Sequence, residues 1–210
     1  MKSKVLLLLI GFVFPLLLQA QWTNNITENT VICDNDESQV LPKVAVDMSS
    51  GNSYVSLFSN SAKGPFDVYL QYLDVNGNKQ WPDDGMLISD HPTDTWVTDY
   101  GLKVDQDGNA ILVNRDLRTG NMDVFAYKIS PLGEFLWGDN GVALTNNDGG
   151  KLTPAVNILD DNSAIVAWEY EPPDTNQYST LQLQKVSVQG DLVWDDFTTI
   201  SCDTMHCMLA

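Results

Sequence analysis

Residues 123–137 read Asp123-Val-Phe-Ala-Tyr-Lys-Ile-Ser-Pro-Leu-Gly-Glu-Phe-Leu-Trp137, and related segments end at Trp81 and at Trp194. In all three segments a glycine stands four residues before the tryptophan. The three tryptophans are almost equally spaced along the chain, and Trp22 precedes the first of them by a similar interval. A long period that is kept so closely is the sequence signature of a repeat architecture.

The apolar residues of the repeated unit alternate with a period of two. Phe125, Tyr127 and Ile129 fall on one face of an extended chain, and Val124 and Ala126 fall on the other. This alternation predicts strands that are partly buried on both faces. Segments rich in glycine, asparagine and aspartate separate the strands and are typical of tight hairpin turns.

Four short antiparallel strands per unit, repeated radially, form the blade of a β-propeller. We therefore predict an all-β fold, a β-propeller-type array of about three four-stranded antiparallel blades that forms an incomplete ring. A β-sandwich and a solenoid are the alternatives, but neither explains a repeat of this period. Counted between tryptophans, the repeat domain of residues 21–202 divides into units 22–81, 82–137 and 138–194 and a partial unit 195–202, followed by a tail, 203–210.

The number of units predicts an open arrangement. A propeller needs about four blades or more to close, whereas this chain contains three units and parts of others. Residues 30–33 (Thr-Val-Ile-Cys) occupy the position of the strand that follows each tryptophan, and we expect a strand there. An incomplete chain and an open array that pairs with a second copy both fit this count. Exposed strand edges and uncovered apolar residues favour self-association.

Residues 1–20 have the pattern of a secretory signal peptide. Lys2 and Lys4 precede an uncharged run, residues 5–18, and Ala20 provides the small residue of a cleavage site. A transmembrane anchor is the alternative, but the run is shorter than the ~20 residues of a membrane span. We expect cleavage, no membrane insertion of the mature chain, and a location outside the cell or at its surface.

The chain is acidic, with 28 aspartates and glutamates against 11 lysines and arginines and a formal net charge of −17. A surface of this sign repels phosphate backbones, so nucleic acid is excluded as a partner. The charge favours solubility outside the cell. We predict no cofactor; calcium at Asp105-Gln-Asp-Gly-Asn109 is the alternative, although its flanks are predicted strands and not the helices of an EF-hand.

The second unit resembles a known repeat. Asp116-Leu-Arg-Thr-Gly120, Asp123-Val-Phe-Ala126 and Gly133-Glu-Phe-Leu-Trp137-Gly138 together resemble the repeat of secreted β-propeller-like proteins of the Bacteroidota. The Gly-to-Trp spacing is also similar to the docking motif of quinoprotein propellers. The resemblance covers about residues 22–200 and implies a secreted propeller. Such proteins often carry a type IX secretion sorting domain, which we do not find in these 210 residues.

The repeated glycines and tryptophans are predicted to be structural. One large ring per unit at a fixed position is typical of a core residue between blades, and the preceding glycine permits close backbone approach. A sugar-binding platform is the alternative, but ligand-binding residues usually lie on variable loops. The set consists of Gly77, Trp81, Gly133, Trp137, Gly190 and Trp194.

We find no catalytic or metal-binding constellation and predict no catalytic, cofactor-binding or metal-binding residue. His91 and His206 are the two histidines, and neither lies in a paired metal-ligand motif. Cys33, Cys202 and Cys207 are odd in number and leave the disulfide state open.

Charged clusters have a structural interpretation as well. Any two carboxylates of the pairs Asp83-Asp84, Asp160-Asp161 and Asp195-Asp196 could act as the acid and base of a glycosidase. Their recurrence at turns favours turn chemistry, because aspartate bonds its own backbone there. Arg115, Asp116 and Arg118 are predicted to form an ion pair that fixes the loop between two strands.

These observations favour an exported, non-enzymatic module that presents loops for binding a protein or a glycan. The alternatives are a fragment of a polysaccharide hydrolase or lyase, with carboxylates in the central region of the propeller, and a structural stalk of a longer surface protein.

Overall fold

The structure, a computed structural model, describes residues 27, 29–60, 66–93, 100–174 and 176–201. Within these ranges the chain forms three four-stranded antiparallel sheets and no helix. The predicted all-β, propeller-type array of three blades in an incomplete ring is therefore confirmed. In the described part of the chain we accordingly find no helix of the length and hydropathy that crossing a membrane requires.

The three sheets follow one another along the chain. The first contains β1 (Gln39–Val46), β2 (Ser53–Asn60), β3 (Phe66–Leu73) and β4 (Met86–Ser89). The second contains β5 (Gly101–Val104), β6 (Ala110–Asp116), β7 (Asp123–Ile129) and β8 (Val142–Ala143). The third contains β9 (Gly150–Ile158), β10 (Ala164–Glu171), β11 (Thr180–Val186) and β12 (Thr198–Ile200).

The strands of each sheet lie in chain order, and the first strands of successive sheets are neighbours. β1 contacts β5, and β5 contacts β9, so these three strands form the inner side of the array. In the described ranges no strand of the first sheet pairs with a strand of the third, and the ring is open. Each repeat tryptophan lies between the third and fourth strands of its sheet. A sequence unit that ends at a tryptophan therefore ends before the fourth strand, and its boundaries do not coincide with those of the sheet.

The turn after the third strand has the same geometry in every sheet. Gly77, Gly133 and Gly190 have φ angles of 81°, 81° and 97°, a region that glycine adopts without steric cost. A single bridge then pairs the end of the third strand with the residue two positions before the tryptophan. The repeated sequence thus produces a repeated turn that brings each tryptophan to the same place in its sheet.

Trp81 and Trp137 each pack on the glycine turn of the following sheet. Trp81 Nε1 donates to Pro131 O at 3.1 Å, and Trp137 Nε1 donates to Val188 O at 3.0 Å. These carbonyls stand two residues before Gly133 and Gly190. A Cβ added to Gly190 would lie 2.8 Å from Trp137 Cδ1, closer than real Cβ contacts. The glycine is required because the indole occupies the space of a side chain.

Alternate residues of neighbouring sheets fill the two interfaces. The cluster between the first and second sheets includes Tyr54, Leu70, Leu112 and Ile129, all fully buried. The cluster between the second and third sheets includes Ile111, Val113, Val124, Ala126, Val166 and Trp168. The second sheet therefore has both faces covered, and every residue of β6 and β7 is buried.

Two local features differ from the sequence-based expectations. Residues 30–33 form no strand. Contacts with the Asp84 side chain hold this segment, and they replace the hydrogen bonds that a neighbouring strand would provide. Cys33 Sγ lies 3.7 Å from Asp84 Oδ1, and the Asp34 N–H donates to the same oxygen at 3.0 Å. Trp81 is half-buried, whereas Trp137 is 8% exposed. Trp22 and the tail 203–210 lie outside the described residues.

Replacing Gly190 by alanine should destabilise the protein through contact with Trp137. Two terms add: a non-glycine residue at positive φ costs about 1–2 kcal/mol, and overpacking against the indole costs a further ~1–3 kcal/mol. Denaturant unfolding of the Gly190→Ala variant measures the sum.

Gly120→Ala is the matched control, because Gly120 has a φ of 94° and a Cβ there would meet nothing within 4 Å. The Gly120→Ala variant should lose only the stability that a non-glycine residue at positive φ costs. Equal destabilisation of the two variants would contradict the packing of Trp137 on the turn.

Candidate functional site

A cleft of about 510 Å³ lies on the inner side of the array, where the first strands of the three sheets converge. Its lining consists of residues 43–44 in β1, residues 100–103 at β5 and residues 153–156 in β9. In radial arrays the corresponding region is the central channel. All three sheets therefore contribute to one concave surface.

Two irregular positions and one glycine shape the backbone of this cleft. Leu41 and Thr153, each followed by a proline, have φ angles of 52° and 44°. Both lie at register shifts, because a proline cannot donate to the ladder and favours a bulge. Gly101 of β5 lies so close to β9 that an added Cβ would be 2.9 Å from Val156 Cγ1.

Tyr100 holds the first sheet against the second at the edge of the cleft. Its hydroxyl donates to Leu41 O at 2.7 Å and lies 2.8 Å from Ser56 Oγ. Lys43 Nζ lies 5.2 Å from the centroid of its ring, a distance at which a cation is attracted to the aromatic face. Tyr100 is 2% exposed, so it positions Lys43 and presents little surface of its own.

The described part of the lining combines apolar residues with two lysines, Lys43 and Lys103, and includes no carboxylate. Lys103 is exposed and forms no ion pair with a described residue. Thr153 contributes a buried hydroxyl oxygen with no hydrogen-bond partner among the described residues. Ion pairs with aspartates are formed by Lys79, Lys128, Lys151 and Lys185.

Acidic residues lie instead at the hairpin turns between first and second strands. The three turns, residues 46–49, 104–106 and 158–160, border a second cleft of about 320 Å³. Asp105 accepts the Asn109 N–H at 2.8 Å and lies 2.8 Å from Lys128 Nζ. Lys128 thus already neutralises the carboxylate that would begin a calcium loop. In the described ranges no group of three histidine, cysteine, aspartate or glutamate residues is arranged to hold a metal ion.

The adjacent acidic pairs make local contacts at turns. Asp83 Oδ1 lies 3.1 Å from Lys79 Nζ, and Asp161 Oδ2 lies 2.7 Å from Lys185 Nζ. Hydrogen bonds from Lys185 and then Ser163 hold the pKa of Asp161 well below its ordinary value. A general acid needs the opposite, a raised pKa. This arrangement therefore suits turn formation and does not suit acid catalysis.

The predicted ion pair of the β6–β7 hairpin is present, and it is buried. Arg118 Nη2 lies 2.6 Å from Asp116 Oδ2, with side-chain exposures of 13% and 0%. The Arg118 guanidinium also stacks on Phe125, 3.8 Å from the ring centroid, and donates to Asn140 O at 2.7 Å. Burial alone would lower the pKa of Arg118, but the hydrogen bonds to Asp116 raise it. The Asp-x-Arg-x-Gly segment therefore ties this hairpin to the loop before β8.

Another buried ion pair joins the second and third sheets. Lys151 Nζ lies 2.9 Å from Asp123 Oδ1, and the two side chains are 0% and 1% exposed. The hydroxyls of Thr119 and Thr145 donate to the same carboxylate at 2.6 and 2.7 Å. Sequence reasoning missed this contact, because nothing in the local pattern distinguishes Lys151 from a surface lysine.

The remaining residues considered from the sequence are not brought together. His91 is half-buried, and its backbone N–H lies 3.4 Å from Ser89 Oγ. Cys33 is a free cysteine, and burial raises the pKa of its thiol. His206, Cys202 and Cys207 lie outside the described residues.

Comparisons with known proteins give distant structural likenesses. Neither a family model nor a curated protein matches the chain. The chain is similar to the endo-1,5-alpha-L-arabinanase from Thermotoga petrophila RKU-1, with a TM-score of 0.44 and 16% identity over 72% of this chain and 38% of that one. It is also similar to the endo-arabinase from Bacteroides thetaiotaomicron VPI-5482, with a TM-score of 0.42 and 16% identity. That match covers 77% of this chain and 61% of the other, so this chain spans less than two thirds of either protein.

Replacing Lys151 by methionine should leave the Asp123 carboxylate buried without its counter-charge. Breaking a buried pair in this way costs about 3–5 kcal/mol, and thermal or denaturant unfolding measures it. Lys185→Met is the control, because the Lys185–Asp161 pair is exposed (23% and 58%) and such pairs contribute about 0–1 kcal/mol. A similar small effect in both variants would contradict the burial of the Lys151 pair.

The Lys185→Ala variant should raise the pKa of Asp161 towards the ordinary aspartate value, as followed by carboxyl-carbon NMR. Because the folded-state pKa lies below the unfolded one, Asp161 stabilises the protein above its unfolded pKa. This contribution is lost as the pH falls through the folded pKa. An unchanged titration curve in the variant would show that Lys185 is not the cause.

Proposed function

We propose that the protein is an exported binding module that takes its ligand at the central cleft, and that the ligand is an anionic glycan. The observation that carries the proposal is the charge of the cleft. In a chain of net charge −17, the inner strands of three sheets line a concave surface to which the described residues contribute Lys43 and Lys103 and no carboxylate.

Electrostatics favours an anionic ligand at this place. Charges of one sign in a cleft with low-dielectric walls focus the field and raise the local concentration of oppositely charged ligands. The described acidic residues of the hairpin turns are not among the lining residues of the cleft, and Asp105 is already paired with Lys128. Among the described lining residues, the two lysines therefore carry the charge that a ligand meets.

The size of the cleft favours a short stretch of sugar units over a protein surface. Small-ligand sites typically enclose about 300–1,000 Å³, and this cleft of about 510 Å³ falls in that range. A stable protein partner would instead cover about 800 Å² of one chain. Val44, which is 63% exposed, offers apolar surface for the carbon face of a sugar ring.

Export is the second part of the proposal. It is supported by the basic start, apolar run and small residue of residues 1–20. An exported module would meet polysaccharides directly outside the cell.

A polysaccharide hydrolase is the competing function. A glycosidase needs two carboxylates about 5–10 Å apart around the bond that is cleaved, and the described lining provides none. Asp99 precedes Tyr100 in the sequence and lies outside the described residues. Hydrolysis of the glycan is therefore assayed alongside its binding.

Binding is tested by affinity electrophoresis of the Lys43→Glu and Lys103→Glu variants in gels that contain polygalacturonate. We expect each variant to bind about tenfold more weakly, since about 1.4 kcal/mol of lost interaction corresponds to that factor. Added salt should weaken the binding of the unaltered chain.

Lys79→Glu is the matched control, because it makes the same charge change at the turn near Asp83, away from the cleft. An equal loss in this control would contradict the assignment of the cleft as the site. Tighter binding to neutral arabinan than to polygalacturonate would contradict the anionic ligand. Release of reducing sugar ends would identify an enzyme instead.

A further inference from the structure

The outer face of the third sheet is apolar, and the described structure leaves it only half-buried. On the face that packs against the second sheet, Val166, Trp168 and Val186 are fully buried. The alternate residues point to the other face, where they are half-buried or exposed among the described residues. They are Ile165, Ala167, Leu181 and Leu183, with Ile200 48% exposed at the edge.

This face repeats the covered face of the second sheet position by position. In the second sheet Ile111 is paired with Lys128, and in the third Ile165 is paired with Lys185, at the same place in the register. The counterparts of Ile165, Ala167, Leu181 and Leu183 are Ile111, Val113, Val124 and Ala126, with exposures of 1%, 0%, 0% and 0%. The residue types are alike, and the difference is that a following sheet covers the second sheet.

Trp194 is held in place for the contact that Trp81 and Trp137 make. Its backbone N–H donates to Gln184 Oε1 at 3.3 Å, just as Trp81 N donates to Gln71 Oε1 at 3.3 Å. Unlike the other two indoles, that of Trp194 has no hydrogen-bond partner among the described residues, and its ring is half-buried. The donor side of the interface is thus in place, and no turn in the described part of the chain accepts its indole N–H.

We infer that the outer face of the third sheet, centred on Trp194, is a docking surface for another blade of the same repeat type. Its occupant is a four-stranded sheet whose turn after the third strand offers a glycine at positive φ. The carbonyl two residues before that glycine accepts the indole Nε1–H of Trp194, as in the two existing interfaces. The two existing interfaces, Trp81 on Gly133 and Trp137 on Gly190, define this recognition.

A second copy of this chain fits the surface poorly. The turns at Gly133 and Gly190 already hold indoles. The outward-facing residues of the first sheet, Val55, Leu57 and Leu73, are 6%, 6% and 0% exposed and are already covered. Two third sheets placed face to face would bring exposed Asp191, Asp195 and Asp196 of both copies together, and like charges repel. An additional repeat is the occupant that avoids all three conflicts.

The test supplies that repeat. The full chain is lengthened by a tandem copy of residues 145–201 inserted after Ser201, so that the new junction has the same length as the natural connection between β8 and β9. Both chains are labelled with 5-fluorotryptophan, and the Trp194 ¹⁹F resonance is assigned with Trp194→Phe. Its H₂O–D₂O isotope shift reports exposure of the ring.

In the natural chain the Trp194 isotope shift should clearly exceed that of Trp137. In the lengthened chain it should fall to the Trp137 value. Gly→Ala at the Gly190 position of the appended repeat should restore the larger shift, and Gln→Val at the adjacent, exposed Gln189 position should not. Hydrogen exchange of the β10 amides in the appended repeat verifies that it is folded in each variant.

Three results would overturn the inference. The first is a Trp194 ring that stays exposed beside a folded appended repeat. The second is a Trp194 ring in the natural chain that is as protected as Trp137 at every protein concentration, which would show that the chain covers its own face. The third is protection that increases with concentration, which would assign the surface to a second copy.

Discussion

The contact between one indole and the glycine turn of the next sheet governs the architecture. The Trp137 ring lies where a side chain of Gly190 would be, and the Trp81 ring lies in contact range of Gly133. Each indole N–H is satisfied by a carbonyl of the same turn. A large apolar ring and its single polar atom are thereby both accommodated between sheets. Because the same turn recurs in every sheet, the same spacing and orientation recur between sheets. The apolar clusters on the two faces of the second sheet depend on that spacing.

The cleft follows from the same constraint. Sheets that are held side by side by their outer turns bring their first strands together on the inner side, and the bulges of β1 and β9 and the close approach at Gly101 shape the space between them. Charge is then distributed by position. Aspartates are retained at turns, where hydrogen bonds from the backbone and from lysines stabilise them. In the described part of the cleft, the inner strands carry lysines and apolar residues.

The repeat, the strand content and the hairpins could be predicted from the sequence because they depend on local patterns. The nearly constant spacing of the repeat tryptophans and the alternation in residues 123–129 are visible without any tertiary contact. The strand predicted at residues 30–33 is not formed, and the cause is physical. A β-branched segment becomes a strand only when a neighbouring strand offers backbone hydrogen bonds. There the segment is held by the Asp84 carboxylate.

The candidate site was less accessible to sequence reasoning. Lys43 and Lys103 are far apart in the sequence and belong to different repeats, and only the contact between β1 and β5 places them in one cleft. Lys151 and Asp123 likewise look like ordinary surface charges until the third sheet covers the second. The sequence by itself determined the blade, its turns and the indole–glycine pairs, because local spacing and backbone sterics specify them. The tertiary structure alone decided which charges are buried, paired or gathered at the centre, because burial and electrostatic partners arise from long-range packing.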